Sequence, residues 1–274
     1  MSSLTDNRSS SVRGYSEVAG NQPLIANNIN KNSNNLDEIS DLCYVDVKSD
    51  NPYDLFKEWH KEACVYSTGL PHALCLSTVS KDMKVSSRHV VLRRIEEDGF
   101  CIYTDNRSRK TKELTEVPEA AMCFLWAYIN DKGQKVARQV RIEGEVVVMD
   151  KDAYADLYDK DKLFCKIRAY ICHQDKEVDW NELKAKHDQL LEDVRQNKVN
   201  LPMPDHLYVS NATTTTSLYH TNESHLFFSL CSIGYKMLPK AIEFYYARDT
   251  LIGDRILFEK SEDSNQWSWK RIAA

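Results

Sequence analysis

Val136-Ala137-Arg138-Gln139-Val140-Arg141-Ile142-Glu143-Gly144-Glu145-Val146-Val147-Val148-Met149 is the stretch that decides the fold. Arg138, Val140, Ile142, Gly144, Val146 and Val148 fall on one face, and Gln139, Arg141, Glu143 and Glu145 on the other. A period of two over this length reads as a long half-buried β-strand, because successive side chains of extended backbone point to opposite sides. Shorter runs of the same kind precede it at 73–79, 85–93, 100–104 and 120–128, separated by polar turns such as Glu96-Glu97-Asp98-Gly99. Further runs follow at 235–247, 255–259 and 267–272. Helical spacing is confined to Leu55, Phe56, Trp59 and Ala63 behind Asn51-Pro52, to a short segment at 152–158, and to 180–196 with Leu183, His187, Leu190, Leu191 and Val194 on one stripe. Many strands with helices interposed only late predict a mainly β, α+β protein: an antiparallel β-barrel with peripheral helices, not an alternating βαβ sheet.

Composition limits the partners. The 274 residues carry 36 Lys+Arg against 41 Asp+Glu, a formal net charge of −5, which removes the electrostatic reason to coat nucleic acid or anionic lipid. A mean hydropathy of −0.54 with no long apolar run excludes a spanning helix, so no membrane partner is expected. The eight glycines nowhere approach GxGxxG or a P-loop, so a phosphorylated ligand must be gripped by side chains. The eight cysteines are scattered without a CxxC pair and suggest neither a disulfide framework nor a zinc site; a reduced, cytoplasmic setting without metal is expected. Residues 1–40 hold eight Ser and eight Asn, too little apolar surface to offset the entropy of ordering. Residues 1–50 therefore read as a disordered tail and 51–274 as the folded domain, with the Thr/Ser/Asn-rich 208–232 as an inserted loop.

The chemistry-bearing residues cluster. Arg88, Arg93, Arg107, Arg109, Lys110 and Lys112 sit within 25 residues, with hydroxyls from Thr104 and Ser108 among them. Such a set is either a solvated basic turn or a side-chain grip on a phosphate dianion, which guanidinium forks, an ammonium and hydroxyls can satisfy together. Gln139 on the polar strand face is either solvated or an amide placed to exchange hydrogen bonds with a planar heterocycle. No G-x-S-x-G and no Cys-His cue suggests a protein nucleophile, so no catalytic residue is assigned and a cofactor would carry any hard step.

The order of motifs is more specific than any one of them. Ser87-Arg88-His89-Val90-Val91-Leu92-Arg93, then Gly99-Phe100, Tyr103-Thr104 and Ser108-Arg109-Lys110, then Arg138-Gln139-Val140-Arg141-Ile142-Glu143-Gly144, resembles the pyridoxamine 5′-phosphate oxidase family. Ile242-Glu243-Phe244-Tyr245 and Asp254-Arg255-Ile256 continue the match. The resemblance implies a split β-barrel homodimer that binds flavin mononucleotide (FMN) and oxidises pyridoxamine or pyridoxine 5′-phosphate to pyridoxal 5′-phosphate, reducing oxygen to hydrogen peroxide. It implies that Arg88, His89, Val90 and Val91 line the flavin, that Tyr103 and Thr104 contact it, and that Ser108, Arg109 and Lys110 bind its phosphate. Gln139, Gln174, Tyr245 and Arg255 would complete the cofactor contacts, and Arg93, Tyr158 and Lys162 would face the substrate.

The sequence also departs from the family pattern. Leu251-Ile252-Gly253 stands where an Arg-x-His is expected, Asp175 where a Ser follows the His-Gln pair, Tyr245 for a Trp and Arg93 for a Lys. These substitutions support a second reading, a catalytically impaired or altered-specificity homologue that binds FMN or a pyridoxal phosphate-like ligand. A third is a flavin-free structural dimer.

Overall fold

The structure, a computed structural model, describes residues 40–202 and 232–274. Residues 1–39 of the expected tail and 208–231 of the expected insert lie outside the described residues. The strands are β1 (Ala73–Val79), β2 (Val85–Ile95), β3 (Phe100–Asp105), β4 (Glu119–Ile129), β5 (Lys135–Val148), β6 (Ser232–Arg248), β7 (Asp254–Lys260) and β8 (Trp267–Ile272). They form one antiparallel sheet in the order β3-β2-β1-β4-β5-β6-β7-β8, and an additional β3–β6 pairing closes the first six into a barrel.

β6 makes this closure possible by changing neighbours partway along. Its 232–237 half pairs with β3 and its 241–246 half with β7, while β5 follows its other edge from Tyr235 to Arg248. The change falls at Pro239, which has no N–H for a ladder and sits opposite a register shift between Glu143 and Gly144. A β-carbon on Gly144 would stand 2.1 Å from the Leu238 carbonyl oxygen, so only glycine lets β5 and β6 cross here. The alternation expected of 136–149 holds for Val140, Ile142 and Val146, which are buried. Val148 departs from it: the residue is exposed at the end of β5, beyond the packed interior.

Helix α1 (Pro52–Tyr66) starts where Asn51 caps it, its side chain accepting from Tyr53 N with Pro52 in the first turn. Its apolar stripe fills the barrel interior: the Phe56 ring lies 4.8 Å from Phe100, 5.1 Å from Phe124 and 5.7 Å from Trp126, and Trp59 lies 5.3 Å from Phe244. These contacts join β3, β4 and β6 through one helix. Two helices escape the sequence reading, α2 (Arg109–Glu116) and α4 (Leu163–Ile171). The segment expected to be helical at 152–158 is a 3-10 turn, Lys151–Ala153, followed by α3 (Ala155–Asp159). The stripe of α5 (Trp180–Arg195) is half-covered and none of its residues is buried.

The tail boundary needs correction. Residues 41–47, assigned to the tail, pack on the barrel: Cys43 and Val45 are buried, Cys43 N donates to Ile252 O (2.8 Å) and Ile252 N to Asp41 O (2.9 Å). Val45 N donates to Asp254 Oδ2 (2.7 Å), and Arg271 donates to both Asp254 and Val45 O. This segment is held by main-chain bonds, one buried carboxylate and a short alternation in which Cys43, Val45 and Val47 face the barrel while Tyr44 and Asp46 stay exposed. Ser232, the last residue of the expected insert, belongs to β6. Among the described residues no helix is long and apolar enough to cross a membrane.

Candidate functional site

The basic cluster forms where β3 hands over to α2. Asp105 organises the turn: its carboxylate accepts from Arg107 N (2.8 Å), and its carbonyl from Ser108 N (3.2 Å). Arg107 is held by the same carboxylate and by Cys172 O. Ser108 occupies the N-cap position of α2, which turns Lys110, Thr111, Glu113 and Leu114 inwards.

Two networks result. In the first, Lys110 is buried at 5% exposure and its Nζ donates to Thr104 Oγ1 (3.0 Å), Ser108 Oγ (2.9 Å) and Gln174 Oε1 (3.1 Å). All three acceptors are neutral, and among the described residues no carboxylate lies within ion-pair distance of this ammonium. Burial, seconded by the nearby Arg88 charge, pulls the Lys110 pKa down to about 8. A buried cation ringed by hydroxyls and an amide is matched to an added anion, and four of the expected cofactor residues, Thr104, Ser108, Lys110 and Gln174, meet here.

The second network surrounds Glu113, which the sequence reading did not single out as a site residue. Its carboxylate accepts from Thr78 (2.5 Å), Ser86 (2.8 Å), Arg88 Nη2 (3.0 Å) and Arg109 Nε (2.7 Å). Burial alone would raise its pKa, but these four donors outweigh burial and hold it at about 2. Arg88 and Arg109, both expected at the cofactor, are thus tied to an internal carboxylate. The i, i+4 spacing of Arg109 and Glu113 on a helix was the available signal.

Asp175 adds a second negative group. It stands in the left-handed region (φ +67°), and its Oδ2 accepts from Arg109 N at 2.8 Å, at the first residue of α2. A carboxylate therefore already holds an amide at the positive end of that helix, close to the Lys110 cage.

The remaining residues divide by strand geometry. β2 alternates, so Arg88 and Val90 are half-buried while His89 and Val91 are exposed, and the four side chains do not share a face. Tyr103 donates to Ser232 Oγ (2.6 Å), and Arg93 lies over its ring at 5.9 Å while bonded to Asp161 and Leu157 O. Tyr158, at 6.5 Å from the Tyr103 ring, is fully buried with its hydroxyl on Leu201 O; Lys162 is exposed at the start of α4.

Gln139, Tyr245 and Arg255 lie opposite one another on β5, β6 and β7, on the reverse side from buried Val140, Phe244 and Ile256. The Arg255 guanidinium stands 5.9 Å from the Tyr245 ring, and its Nε is buried without a hydrogen-bond partner, 3.6 Å from Glu243. Gly253 is part of this row: a β-carbon there would meet the Tyr245 ring at 2.6 Å, so the ring fills the space of a side chain at 253.

The two groups are far apart in one subunit. Tyr103 pairs with Gly234 at one end of β6 and Gln139 with Tyr245 at the other, eleven residues on, up to about 36 Å at ~3.3 Å per residue. A 630 Å³ depression at Lys57, Glu96, Glu97 and Asp98 and a 180 Å³ one at Arg141, Glu143, Glu243 and Glu259, which adjoins the row through Glu243, have acidic linings that do not suit a phosphate.

Known proteins resemble this chain over most of its length. The family model described as pyridoxamine 5′-phosphate oxidase matches residues 61–182, and that described as the pyridoxine 5′-phosphate oxidase C-terminal dimerisation region matches 233–274. The pyridoxine/pyridoxamine 5′-phosphate oxidase of Nostoc punctiforme is 27% identical over 223 residues, covering 81% of this chain and 88% of its own. That of Cupriavidus necator is 28% identical over 235 residues, covering 86% and 94%. In fold, PhzG from Burkholderia lata, solved with tetrahydrophenazine-1-carboxylic acid, gives a TM-score of 0.65 at 24% identity over 86% of this chain and 99% of PhzG. A pyridoxamine 5′-phosphate oxidase-related, FMN binding protein from Nostoc punctiforme gives 0.55 at 14% identity over 81% and 96%. Both family segments follow in order on either side of 183–232, and together they take in more than half the chain: it belongs to the pyridoxamine 5′-phosphate oxidase family.

Proposed function

We propose that this chain is an FMN-dependent oxidoreductase that works as a homodimer on a phosphorylated B6 vitamer, pyridoxamine or pyridoxine 5′-phosphate. The observation that carries the reading is the Lys110 cage. A buried ammonium with only neutral partners costs several kcal/mol of lost hydration, which an arriving phosphate dianion would offset. Lys110, Ser108 and Thr104 would hold that phosphate, with the Arg109 side chain, more than half exposed, able to turn towards it.

The second half of the reading is that the site is shared. Gln139, Tyr245 and Arg255 form a row that offers an amide, an aromatic face and an underbonded guanidinium to a planar heterocycle, but it sits too far along β6 to reach the same ligand as Lys110 in one subunit. A second copy, joined through the 233–274 region that matches the family's dimerisation model, would bring its row to the first copy's cage. Bound FMN supplies the two-electron acceptor for oxidation of the substrate at carbon and passes the electrons to oxygen, giving hydrogen peroxide. The protein's part is orientation and charge: Arg93, whose guanidinium lies over the Tyr103 ring, would face the substrate phosphate. A reduced, cytoplasmic setting belongs to the same reading and rests on the scattered cysteine pattern.

Purified protein loaded with FMN and given pyridoxamine 5′-phosphate should form pyridoxal 5′-phosphate and peroxide above a flavin-only blank. Colourless protein that shows no spectral change on flavin titration sinks the reading altogether. Flavin binding without turnover favours the second reading, a catalytically impaired or altered-specificity homologue, which Leu251, Gly253 and Asp175 support. Leu251→Arg with Gly253→His then separates its two forms. The histidine must displace the Tyr245 ring, so a large gain in turnover marks an impaired oxidase, and no gain marks a different substrate.

A further inference from the structure

His60, Cys64 and His72 form a compact ligand set made of residues not assigned to the flavin or the substrate. His60 and Cys64 stand at i and i+4 of α1, one helical turn apart on the same face. His72 reaches them from the turn before β1, and its main chain is fixed on both sides: Leu92 N donates to His72 O (2.8 Å) and Trp126 Nε1 to Pro71 O (2.8 Å). The His60 ring stacks on Phe56 at 5.7 Å and lies 5.8 Å from Trp126, so one ligand is braced by buried core aromatics.

The donor atoms converge. His60 Nε2 lies 2.9 Å from His72 Nδ1 and 3.8 Å from Cys64 Sγ, and all three atoms lie within 4.8 Å of one another. A tetrahedral zinc ion bound at ~2.0–2.1 Å to nitrogen and ~2.3 Å to sulfur spaces its ligands by about 3.3 Å (N to N) and 3.6 Å (N to S). The two spacings to His60 differ from these by less than about half an ångström, and Cys64 Sγ and His72 Nδ1, within 4.8 Å of each other, close to the third by side-chain rotation. Two imidazoles and a thiolate suit a borderline or soft ion and not magnesium or calcium, which take oxygen ligands. Cys64 and His72 are exposed, so an ion can arrive from solvent and keep a water as fourth ligand.

We infer that His60, Cys64 and His72 bind one zinc-class divalent ion, which staples the C-terminal end of α1 to the turn that starts β1. The pattern H-x3-C-x7-H matches no familiar zinc spacing, and its third ligand arrives across a turn, which is why scattered cysteines concealed it. Binding sends the thiol proton to solvent, breaks the hydrogen bond between the imidazoles and shifts its proton to the other nitrogen of the same ring, while the ion exchanges three of its waters for the two imidazoles and the thiolate.

Calorimetric titration of the full-length, chelator-stripped protein with Zn²⁺ tests this. One equivalent should bind, unaffected by excess Mg²⁺, and X-ray absorption of the zinc-loaded protein should show one sulfur at ~2.3 Å with nitrogens at ~2.0–2.1 Å. Cys64→Ser and His72→Ala change exposed side chains, so they should keep the metal-free melting temperature while each weakens Zn²⁺ at least tenfold and removes its stabilising shift. Zinc binding that survives both substitutions, a metal shell without sulfur, or no saturable binding at all would overturn the inference. None of these readouts depends on flavin or on turnover, so failure here and failure of the oxidase reading are distinguishable.

Discussion

At the scale of single residues, the site turns on which anion sits at the start of α2. Asp175 accepts the Arg109 amide at 2.8 Å and stands beside the cage that would take a phosphate. A carboxylate near an incoming dianion repels it, so Asp175→Ser should tighten FMN by about tenfold or more, an effect on the order of 1.4 kcal/mol. Flavin titration by fluorescence quenching measures this directly, and an unchanged or weaker affinity would refute the competition. Lys110 sets the pH dependence. Its pKa falls to about 8 in the folded, anion-free chain from a reference of 10.5, so the unfolded chain holds that proton more firmly. The cost of the buried ammonium to folding is therefore full below about pH 8 and relieved as pH climbs towards the reference value. Anion affinity runs the other way: FMN should bind progressively more weakly as pH rises through about 8, and Lys110→Met should abolish that slope. These assignments were only partly legible. Ser108, Arg109 and Lys110 could be picked from sequence order, but the capture of Arg88 and Arg109 by Glu113 depends on a short helix whose basic first turn reads as a loop.

At the scale of elements, period-two alternation made most strands visible, because each is buried on one face and wet on the other. What stayed hidden involves bonds without extended periodicity. Residues 41–47 are fastened by main-chain pairing to Ile252 and by Asp254 with Arg271, and their alternation, Cys43, Val45 and Val47 inward, is too short to announce a packed element by itself. The crossing of β5 and β6 is similar: Pro239 within a strand argues against a ladder until Gly144 is seen opposite it. Gly144→Ala places a methyl 2.1 Å from the Leu238 carbonyl, a clash with backbone that no rotamer relieves. It should cost about 3 kcal/mol or more, read as a lower urea midpoint, with the loss shared by the β3 and β7 ends of β6 since both are set by this bend. A variant that unfolds like the parent would show that the bulge does not need glycine.

At the scale of the whole molecule, the length of β6 makes the strongest case for a shared site. Lys110 and Thr104 belong to the end of the barrel where β3 meets Gly234, whereas Gln139, Tyr245 and Arg255 belong to the end near Gly253. Two such ends meet on one flavin only if different subunits supply them, and that arrangement has a consequence that a one-subunit site lacks. Lys110→Met and Arg255→Gln should each impair FMN binding in the homodimer, because every site then carries the lesion. When the two variants are unfolded together and refolded as a mixture, the heterodimers have one site bearing both lesions and one bearing neither. With random pairing, half the dimers are mixed and about a quarter of all sites should regain parental affinity. Flavin retained on gel filtration at low FMN, compared with each variant refolded alone, gives the measurement. Recovery requires that the cage and the row come from different copies. If the mixture binds no more than the sum of its parts while both variants refold to dimers, each subunit must build its site alone and the shared arrangement is wrong.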